Sequence, residues 1–157
     1  MPSIHLDPSV ICELEDRLVL IYTGKSHFSS GMHQKVIAEA DQHRDDFDTL
    51  AEAAVAGKEA LLAVDFPAFG AAMNANWAAQ KRLHPDITTP EIEALHDAAF
   101  RVGALGFKAN GAGGGGTVTI LADRNRAHLV GRVAQELGMT VLPALIDTTG
   151  LQVWKAE

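Results

Sequence analysis

The chain has 157 residues, of which 47% are hydrophobic and 21% charged, a composition typical of a globular domain rather than a disordered segment. Its 13 Lys and Arg against 20 Asp and Glu give a formal net charge of −7, which excludes a nucleic-acid-binding protein that depends on an overall basic surface. The longest strongly apolar run, residues 18–22, is far shorter than the roughly 20 residues needed to span a bilayer. The single cysteine, Cys12, excludes an internal disulfide and a cysteine-based zinc site. We therefore expect one cytoplasmic domain over residues 1–157, with no metal site and neither a membrane nor a nucleic acid as partner.

The N-terminal part of the chain predicts a strand, a helix and a second strand. Apolar and polar residues alternate over residues 4–6, which predicts a short edge strand. Asp7 or Ser9 is suited to cap a brief helix that reaches Glu15. The compact apolar run over residues 18–22 predicts a buried strand.

The middle of the chain predicts a series of helices. Apolar residues recur at helical spacing from about residue 29 to residue 64, in two helices that meet near residues 42–45. Asp65, followed by a proline two residues later, predicts the start of a further helix that ends near Leu83. Thr89 precedes a proline and a glutamate, the favoured order for the start of the next helix, which Gly103 closes.

The C-terminal part begins with a block of glycines, residues 111–116, in which only Ala112 is not glycine. A strand is predicted over residues 117–121 and a helix over residues 125–137. Two more strands, over 141–146 and 151–154, lie close enough in sequence to form a hairpin. Because strands and helices are partly segregated along the chain, we predict an α+β fold with a mainly antiparallel four-stranded sheet and helices packed on one face.

Two segments resemble phosphate-binding motifs, but each lacks a feature that its motif requires. Gly24 begins a Gly-Lys-Ser triplet, but a Walker A loop needs a glycine five positions earlier, where Val19 stands. The glycine block satisfies the spacing of the dinucleotide fingerprint, which must be followed by a helix, whereas residues 117–121 alternate like a strand. We therefore reject both motifs.

The glycine block still needs an explanation, because a flexible linker and an ordered functional loop are both open. Five ordered glycines would cost about 2.5–5 kcal/mol relative to alanine, a large part of a stability of about 5–15 kcal/mol. The block lacks the polar residues of a linker, and we predict that it directly follows the helix closed by Gly103 and precedes a strand. This context favours a surface where the backbone approaches a phosphate or another backbone closely.

Two further groups have both a functional and an ordinary interpretation. Lys108 lies three residues before the glycine block, where it would place a positive charge beside a bound anion or would simply be a surface lysine. Asn74, Trp77 and Lys81 share one helix face, which suits either the lining of a polar-ligand cleft or a half-buried tryptophan among solvated groups. For Lys108 the sequence alone favours the surface lysine, whereas for the helix face it leaves both interpretations open.

Taken together, these residues resemble the C-terminal half of the GHMP-family kinases, the superfamily of galactokinase and of homoserine, mevalonate and phosphomevalonate kinases. Residues 108–116 resemble the third motif of that family. Tyr22-Thr23-Gly24 with the downstream serines, and the segment from Met73 to Leu83, make the heptose-phosphate kinase branch the most similar one. His27 stands where that branch tends to have arginine, and Thr117 where an aromatic residue is common.

The resemblance implies a ferredoxin-like α+β fold and phosphoryl transfer from ATP, with Mg, to a small-molecule sugar, a sugar phosphate or a similar alcohol. Two groups of site residues follow from it. The loop next to the nucleotide phosphates would comprise Lys108, Gly111, Ala112, Gly113, Gly114 and Gly115. The substrate side would comprise Thr23, Gly24, Ser26, Ser29, Asn74, Trp77 and Lys81.

The family's phosphate-cradling loop, catalytic acid and metal carboxylate belong to an N-terminal half, and none of them can be assigned in this sequence. Phosphoryl transfer depends on positioning and on charge neutralisation, so a chain without these groups lacks most of the apparatus. We therefore expect no catalysis by the chain alone, no catalytic or metal-binding residue in it, and no tightly bound ATP or Mg. The expected partner is an N-terminal kinase half or a second copy in a homodimer. The alternative is a non-catalytic binding or assembly module derived from the same fold.

Overall fold

The computed structural model describes residues 4–24, 36–37, 40–150 and 153–155. Within them, five α-helices and four strands follow one another along the chain. In order they are α1 (Pro8–Arg17), β1 (Leu18–Tyr22), α2 (Arg44–Leu62), α3 (Phe66–Arg82), α4 (Pro90–Arg101), β2 (Ala104–Ala109), β3 (Thr117–Ala122), α5 (Ala127–Glu136) and β4 (Thr140–Leu142). Short 3-10 turns precede α2 at Ala40–His43 and α4 at Pro85–Ile87.

Three helices begin at side-chain caps that the sequence predicted. The carboxylate of Asp7 accepts a hydrogen bond from the Ser9 amide at the start of α1, and that of Asp65 accepts one from Ala68 at the start of α3. The Thr89 hydroxyl accepts from the Ile92 amide at the start of α4. Each cap satisfies one backbone N–H that has no partner within its own helix, and a proline in the first turn removes another such donor.

The strands form one antiparallel sheet in the order β2-β3-β1-β4. Because side chains alternate along a strand, Val19 and Ile21 of β1 lie on the same face as Val118 and Ile120 of β3 and Phe107 of β2. Helices α4 and α5, together with Trp77 of α3, pack against that face and form the main core. A smaller cluster on the other face joins Leu121 to Leu14 of α1 and to Phe66 and Met73 of α3. The predicted α+β class and its four-stranded antiparallel sheet are confirmed.

The prediction that a helix directly precedes the glycine block is wrong, because strand β2 stands between α4 and the block. Its sequence, ALGFKA, contains no β-branched residue, which is why propensity does not indicate a strand there. Helix α3 closes the outer edge of β2. The Asn74 side-chain amide donates to the Leu105 carbonyl oxygen at 2.8 Å, and its side-chain oxygen accepts from the Phe107 amide at 2.9 Å.

The predicted strand over residues 4–6 and the C-terminal hairpin are also wrong. Residues 4–6 form no strand, since Asp7 already caps α1. Strand β4 ends at Leu142 because Pro143 has no amide to continue the ladder, and β4 pairs with β1 rather than with a following strand. Of the last predicted strand, residues 151–152 lie outside the described part, and residues 153–154 are in no strand.

Among the described residues, none of the helices combines the length and the apolar character that crossing a membrane requires. The cytoplasmic location expected from the sequence stays a prediction.

Candidate functional site

The glycine block forms the turn of the β2–β3 hairpin. The Asn110 amide donates to the Thr117 carbonyl oxygen at 2.9 Å, which closes the end of the hairpin. Thr23, just after β1, holds the other side, because both its amide and its hydroxyl donate to the carbonyl oxygen of Gly116, at 2.9 and 3.1 Å. The loop is thus anchored at both of its ends. The sequence prediction that a strand, not a helix, follows the glycines is confirmed.

The backbone of this loop requires glycine. Its glycines all have positive φ, the left-handed region that side chains with a Cβ rarely occupy. The values are 65° for Gly111, 78° for Gly113, 71° for Gly114, 147° for Gly115 and 78° for Gly116. The glycine run is therefore a fixed conformation rather than a flexible connection.

The loop is also packed against the turn before α4. The Gly114 amide donates to the Ile87 carbonyl oxygen at 2.6 Å. A Cβ placed on Gly113 would lie 2.4 Å from that same oxygen, so the contact excludes any side chain. This is the close approach to another backbone that the sequence argument favoured as one of two explanations.

Several backbone N–H groups of the loop remain available. In the described part of the chain, the amides of Ala112, Gly113 and Gly115 donate to no protein acceptor, although Gly113 and Gly115 are buried residues. Buried amides are normally paired, and successive backbone amides in a turn can form a concave anion-binding site. The role of this loop towards a phosphate group stays a prediction.

Lys108 lies on β2 beside this loop, half-buried, rather than extended on the surface. Its Nζ donates to the side-chain oxygens of Asn76 at 2.5 Å and of Gln80 at 3.2 Å. Burial lowers the pKa of the ammonium group below its usual value, because desolvation disfavours the charged form. Lys108 is therefore half-buried and hydrogen-bonded, and its role beside a bound anion stays a prediction.

Gln80 connects Lys108 to the glycine loop. Its side-chain oxygen accepts from Lys108, and its side-chain amide donates to the Gly111 carbonyl oxygen at 2.8 Å. Gln80 is one of the few polar residues of the described chain that are buried. Helix α3 thereby fixes the first turn of the loop through one side chain.

A cleft of about 340 Å³, here called the loop cleft, opens beside these residues. Its size is in the usual range of small-molecule sites, and Lys108 is the only charged residue among the described residues that line it. The described lining residues are Val36, Phe47, Leu50, Asn76, Gln80, Leu83, Ile87, Lys108, Gly111 and Ala112.

The structure brings only part of the predicted substrate side to this region. Thr23 binds the end of the glycine loop, and Gly24 follows it in an exposed position. Ser26 and Ser29 lie outside the described residues. Their assignment to a substrate side stays a prediction.

The face formed by Asn74, Trp77 and Lys81 has structural partners. Asn74 closes the edge of β2, as described above. The Trp77 side chain is 2% exposed, more deeply buried than either sequence interpretation allowed, and its ring lies 5.9 Å from that of Phe107. Lys81 Nζ donates to the carboxylate of Glu93 at 3.0 and 3.2 Å and lies 5.5 Å from the centre of the Trp77 ring. A role of these residues towards a substrate stays a prediction.

Three residues of the region were missed by the sequence analysis: Gln80, Ile87 and Asn110. The side chain of Asn110 bonds the hydroxyls of Thr117 and Thr119 across the hairpin. A short asparagine beside a glycine is a recognised turn signal that could have indicated the hairpin. No sequence pattern places Ile87 or Gln80 against the loop.

No group of His, Cys, Asp or Glu residues within the described ranges is arranged to hold a metal ion. The sequence expectation that this chain has no metal site stays a prediction.

Comparison with known proteins identifies a matching family and a curated relative. The family model described as GHMP kinases C terminal matches residues 58–138, slightly more than half of the chain. The chain is 32% identical over 120 residues to the bifunctional fucokinase/GDP-fucose pyrophosphorylase of Arabidopsis thaliana, covering 73% of this chain and 11% of that protein.

Solved structures share the fold. The mevalonate kinase of L. major, solved with R-mevalonate, superposes with a TM-score of 0.67 at 24% identity, over 82% of this chain and 43% of that one. The phosphomevalonate kinase of Streptococcus pneumoniae, solved with phosphomevalonate and AMPPNP, gives 0.69 at 23% identity, over 80% and 37%. A D-glycero-D-manno-heptose 1-phosphate kinase from Bacteroides thetaiotaomicron gives 0.62 at 20% identity, over 90% and 36%. The chain thus spans less than half the length of each of these relatives.

Proposed function

Because this chain belongs to the GHMP kinases, as their C-terminal domain, we propose that it forms the substrate-side half of an ATP-dependent kinase for a small sugar or sugar phosphate. One observation carries the proposal. The glycine loop is held in a single conformation by Thr23 and Ile87, and it leaves backbone amides free beside a half-buried lysine.

This arrangement suits the phosphate groups of ATP. Amides of Ala112, Gly113 and Gly115 would donate to phosphate oxygens. When bound, ATP supplies the phosphoryl group and its Mg neutralises the charge that develops during transfer. The described residues offer no cluster of carboxylates for that Mg, so an N-terminal half would supply the metal ligand and the catalytic acid.

A sugar as acceptor is supported by the names of two relatives, the Arabidopsis fucokinase and the Bacteroides heptose kinase. The heptose-phosphate branch suggested by the sequence is one finer version of this proposal. Because mevalonate and phosphomevalonate kinases are among the structural relatives, the acceptor specificity should be compared between sugars and non-sugar alcohols. On the substrate side, Thr23, Gly24, Ser26, Ser29 and Lys81 would contact the acceptor, while Asn74 and Trp77 would position the strand and helix that carry them.

The chain alone should not turn over ATP, because positioning and charge neutralisation both need groups from the other half. The test is an ATP turnover assay with fucose, heptose phosphates, mevalonate and phosphomevalonate as acceptors. We expect no turnover above that of a heat-denatured sample. Turnover that follows the chain through purification and vanishes in Gly113→Ala would overturn the inactivity proposal and identify the acceptor at the same time.

A second function, a non-catalytic assembly module, is favoured by a separate observation. Ala51, Val55 and Leu62 are exposed on one side of α2, with Val55 57% and Leu62 52% accessible. Clustered exposed apolar side chains drive association. Light scattering, with the charged variant Val55→Glu/Leu62→Glu as control, tests association through this face. A dimer that the control abolishes supports assembly through this face, and a monomer at high concentration removes the homodimer from consideration.

A further inference from the structure

A second cavity, here called the α2–α3 cavity, lies between helices α2 and α3 and the sheet. Its volume is about 460 Å³, within the range of ligand pockets in proteins. It shares only Asn76 and Lys108 with the loop cleft. Its other described lining residues are Ile4, Leu18, Ala53, Ala54, Gly57, Lys58, Leu61, Phe69, Ala72, Met73, Asn110 and Thr119.

The walls of this cavity are apolar along most of their length. Leu18, Leu61, Phe69 and Met73 supply large hydrophobic side chains, and the small residues of α2 leave room between them. Polar groups are gathered on the side formed by Lys108, where Asn76, Asn110 and Thr119 also lie. The cavity is therefore divided into an apolar body and a polar end.

The charge at the polar end is positive, and no carboxylate of the described residues neutralises it. Among the described residues that line the cavity, Lys58 and Lys108 are charged and no carboxylate is present, although the whole chain carries a net charge of −7. No carboxylate of the described chain lies within ion-pair distance of Lys108, whose ammonium is held by the amide oxygens of Asn76 and Gln80. A half-buried charge without a partner is costly, and binding of an anion compensates that cost.

We propose that the α2–α3 cavity binds a small amphipathic anion, with its apolar tail between α2 and α3 and its single anionic head on the ammonium of Lys108. Among the described residues, it shares Asn76 and Lys108 with the loop cleft but none of the glycines of the loop, and it goes beyond the proposed kinase function. Carboxylate and phosphate heads share the chemistry that Lys108 recognises. Lys58, exposed at the cavity, adds to the attraction without burying its own charge.

Decanoate is a suitable probe, because it combines an apolar nine-carbon chain with one carboxylate. Isothermal titration of the full chain with decanoate, below its critical micelle concentration, should give saturable binding with one site. Decanol keeps the apolar chain but has no charge, and acetate keeps the carboxylate but has no long chain. Both should therefore bind more weakly than decanoate. Decyl phosphate in a parallel titration distinguishes the two head groups.

Two variants of the chain locate the site. Lys108→Met removes the charge and keeps an apolar stem, so decanoate should bind about tenfold or more weakly, as expected for loss of a charge-assisted hydrogen bond. Lys155→Met removes the same charge from an exposed position away from the cavity and should leave the affinity unchanged. Ala54→Phe fills the cavity from its exposed side and should abolish binding while Lys108 is intact.

Circular dichroism of each variant establishes that it is folded, and Lys108→Arg replaces Lys108→Met if that variant does not fold. Because arginine keeps the positive charge, Lys108→Arg should still bind decanoate, whereas Ala54→Phe should not. Three results would overturn the proposal: no saturable binding of decanoate to the folded chain, equal binding of decanol, or an equal loss in Lys108→Met and Lys155→Met. None of these results depends on ATP turnover, so failure of this site and failure of the kinase proposal are distinguishable.

Discussion

The amide of Gly114 donates to the carbonyl oxygen of Ile87 at 2.6 Å, which ties the glycine loop to the turn that leads into helix α4. The preceding residue, Gly113, lies so close that the same oxygen would be 2.4 Å from its Cβ if it had one. The loop is thus held from a part of the chain more than twenty residues away in sequence. Its rigidity depends on this contact as well as on the conformational freedom of glycine.

Replacing Gly113 by alanine should therefore destabilise the fold more than the same change at Gly111. In Gly113→Ala the strain of a positive φ adds to a backbone collision, for a loss of about 2–4 kcal/mol in the free energy of unfolding. Gly111 also has positive φ but nothing within 4 Å of its Cβ position, so Gly111→Ala should lose only about 1–2 kcal/mol. Urea denaturation of both variants measures the difference, and equal losses would contradict the Ile87 contact.

The sequence predicts the two central strands of the sheet but not its outer strand β2, for a physical reason. Strands β1 and β3 bury β-branched residues on one face, and that pattern is visible in the sequence. Strand β2 is held by partners that are distant in sequence, namely β3 on one edge and Asn74 on the other. Tertiary contacts of this kind override local propensity, and no window of sequence contains them.

The candidate site, like the sheet, was predicted from the sequence only in part. The glycine run can be recognised from the sequence, because a costly conformation repeated at five positions needs an explanation. The contact with Ile87 and the link through Gln80 join separate parts of the chain, and the sequence indicates neither. The helix face of Asn74, Trp77 and Lys81 was correctly placed on one side of α3, but spacing could not reveal that this side faces the sheet edge and the core.

Asn74→Asp tests the closure of the β2 edge. The aspartate keeps an acceptor for the Phe107 amide but turns a second oxygen towards the Leu105 carbonyl, so at neutral pH we expect a loss of about 2–3 kcal/mol. The unfavourable site raises the pKa of the folded variant's new carboxyl above its unfolded value of about 3.9. The folded variant then binds more protons than the unfolded chain, so its deficit relative to wild type should shrink as the pH falls through the folded pKa. A deficit that is constant with pH would show that Asn74 does not bond both groups.

The lowered pKa of Lys108 predicts a dependence of stability on alkaline pH. Burial disfavours the ammonium in the folded state, so between the folded and unfolded pKa the unfolded chain binds more protons. The free energy of unfolding should therefore rise relative to Lys108→Met as the pH increases from neutral to about 10, near the ordinary lysine pKa. Chemical denaturation of both proteins across this range measures the difference. A difference that falls with pH would contradict the burial of Lys108.

The two tryptophans provide a direct probe of the core. Trp77 is 2% exposed and Trp154 is 79% exposed. In Trp154→Phe the remaining fluorescence should be blue-shifted and poorly quenched by acrylamide, whereas in Trp77→Phe it should be red-shifted and readily quenched. Similar quenching in the two variants would mean that the helix face of Trp77 is open to solvent, as a cleft lining would require.

The proposed binding of a nucleotide phosphate by the glycine loop is tested most directly by an amide-resolved NMR titration of the chain with ATP and Mg. The account predicts weak but saturable shifts that are largest at the amides of Ala112, Gly113 and Gly115 and that are lost in a folded Gly113→Ala variant. Loop amides that do not move at high ATP, while the rest of the spectrum shows a folded protein, would contradict the assignment of this loop to a nucleotide phosphate.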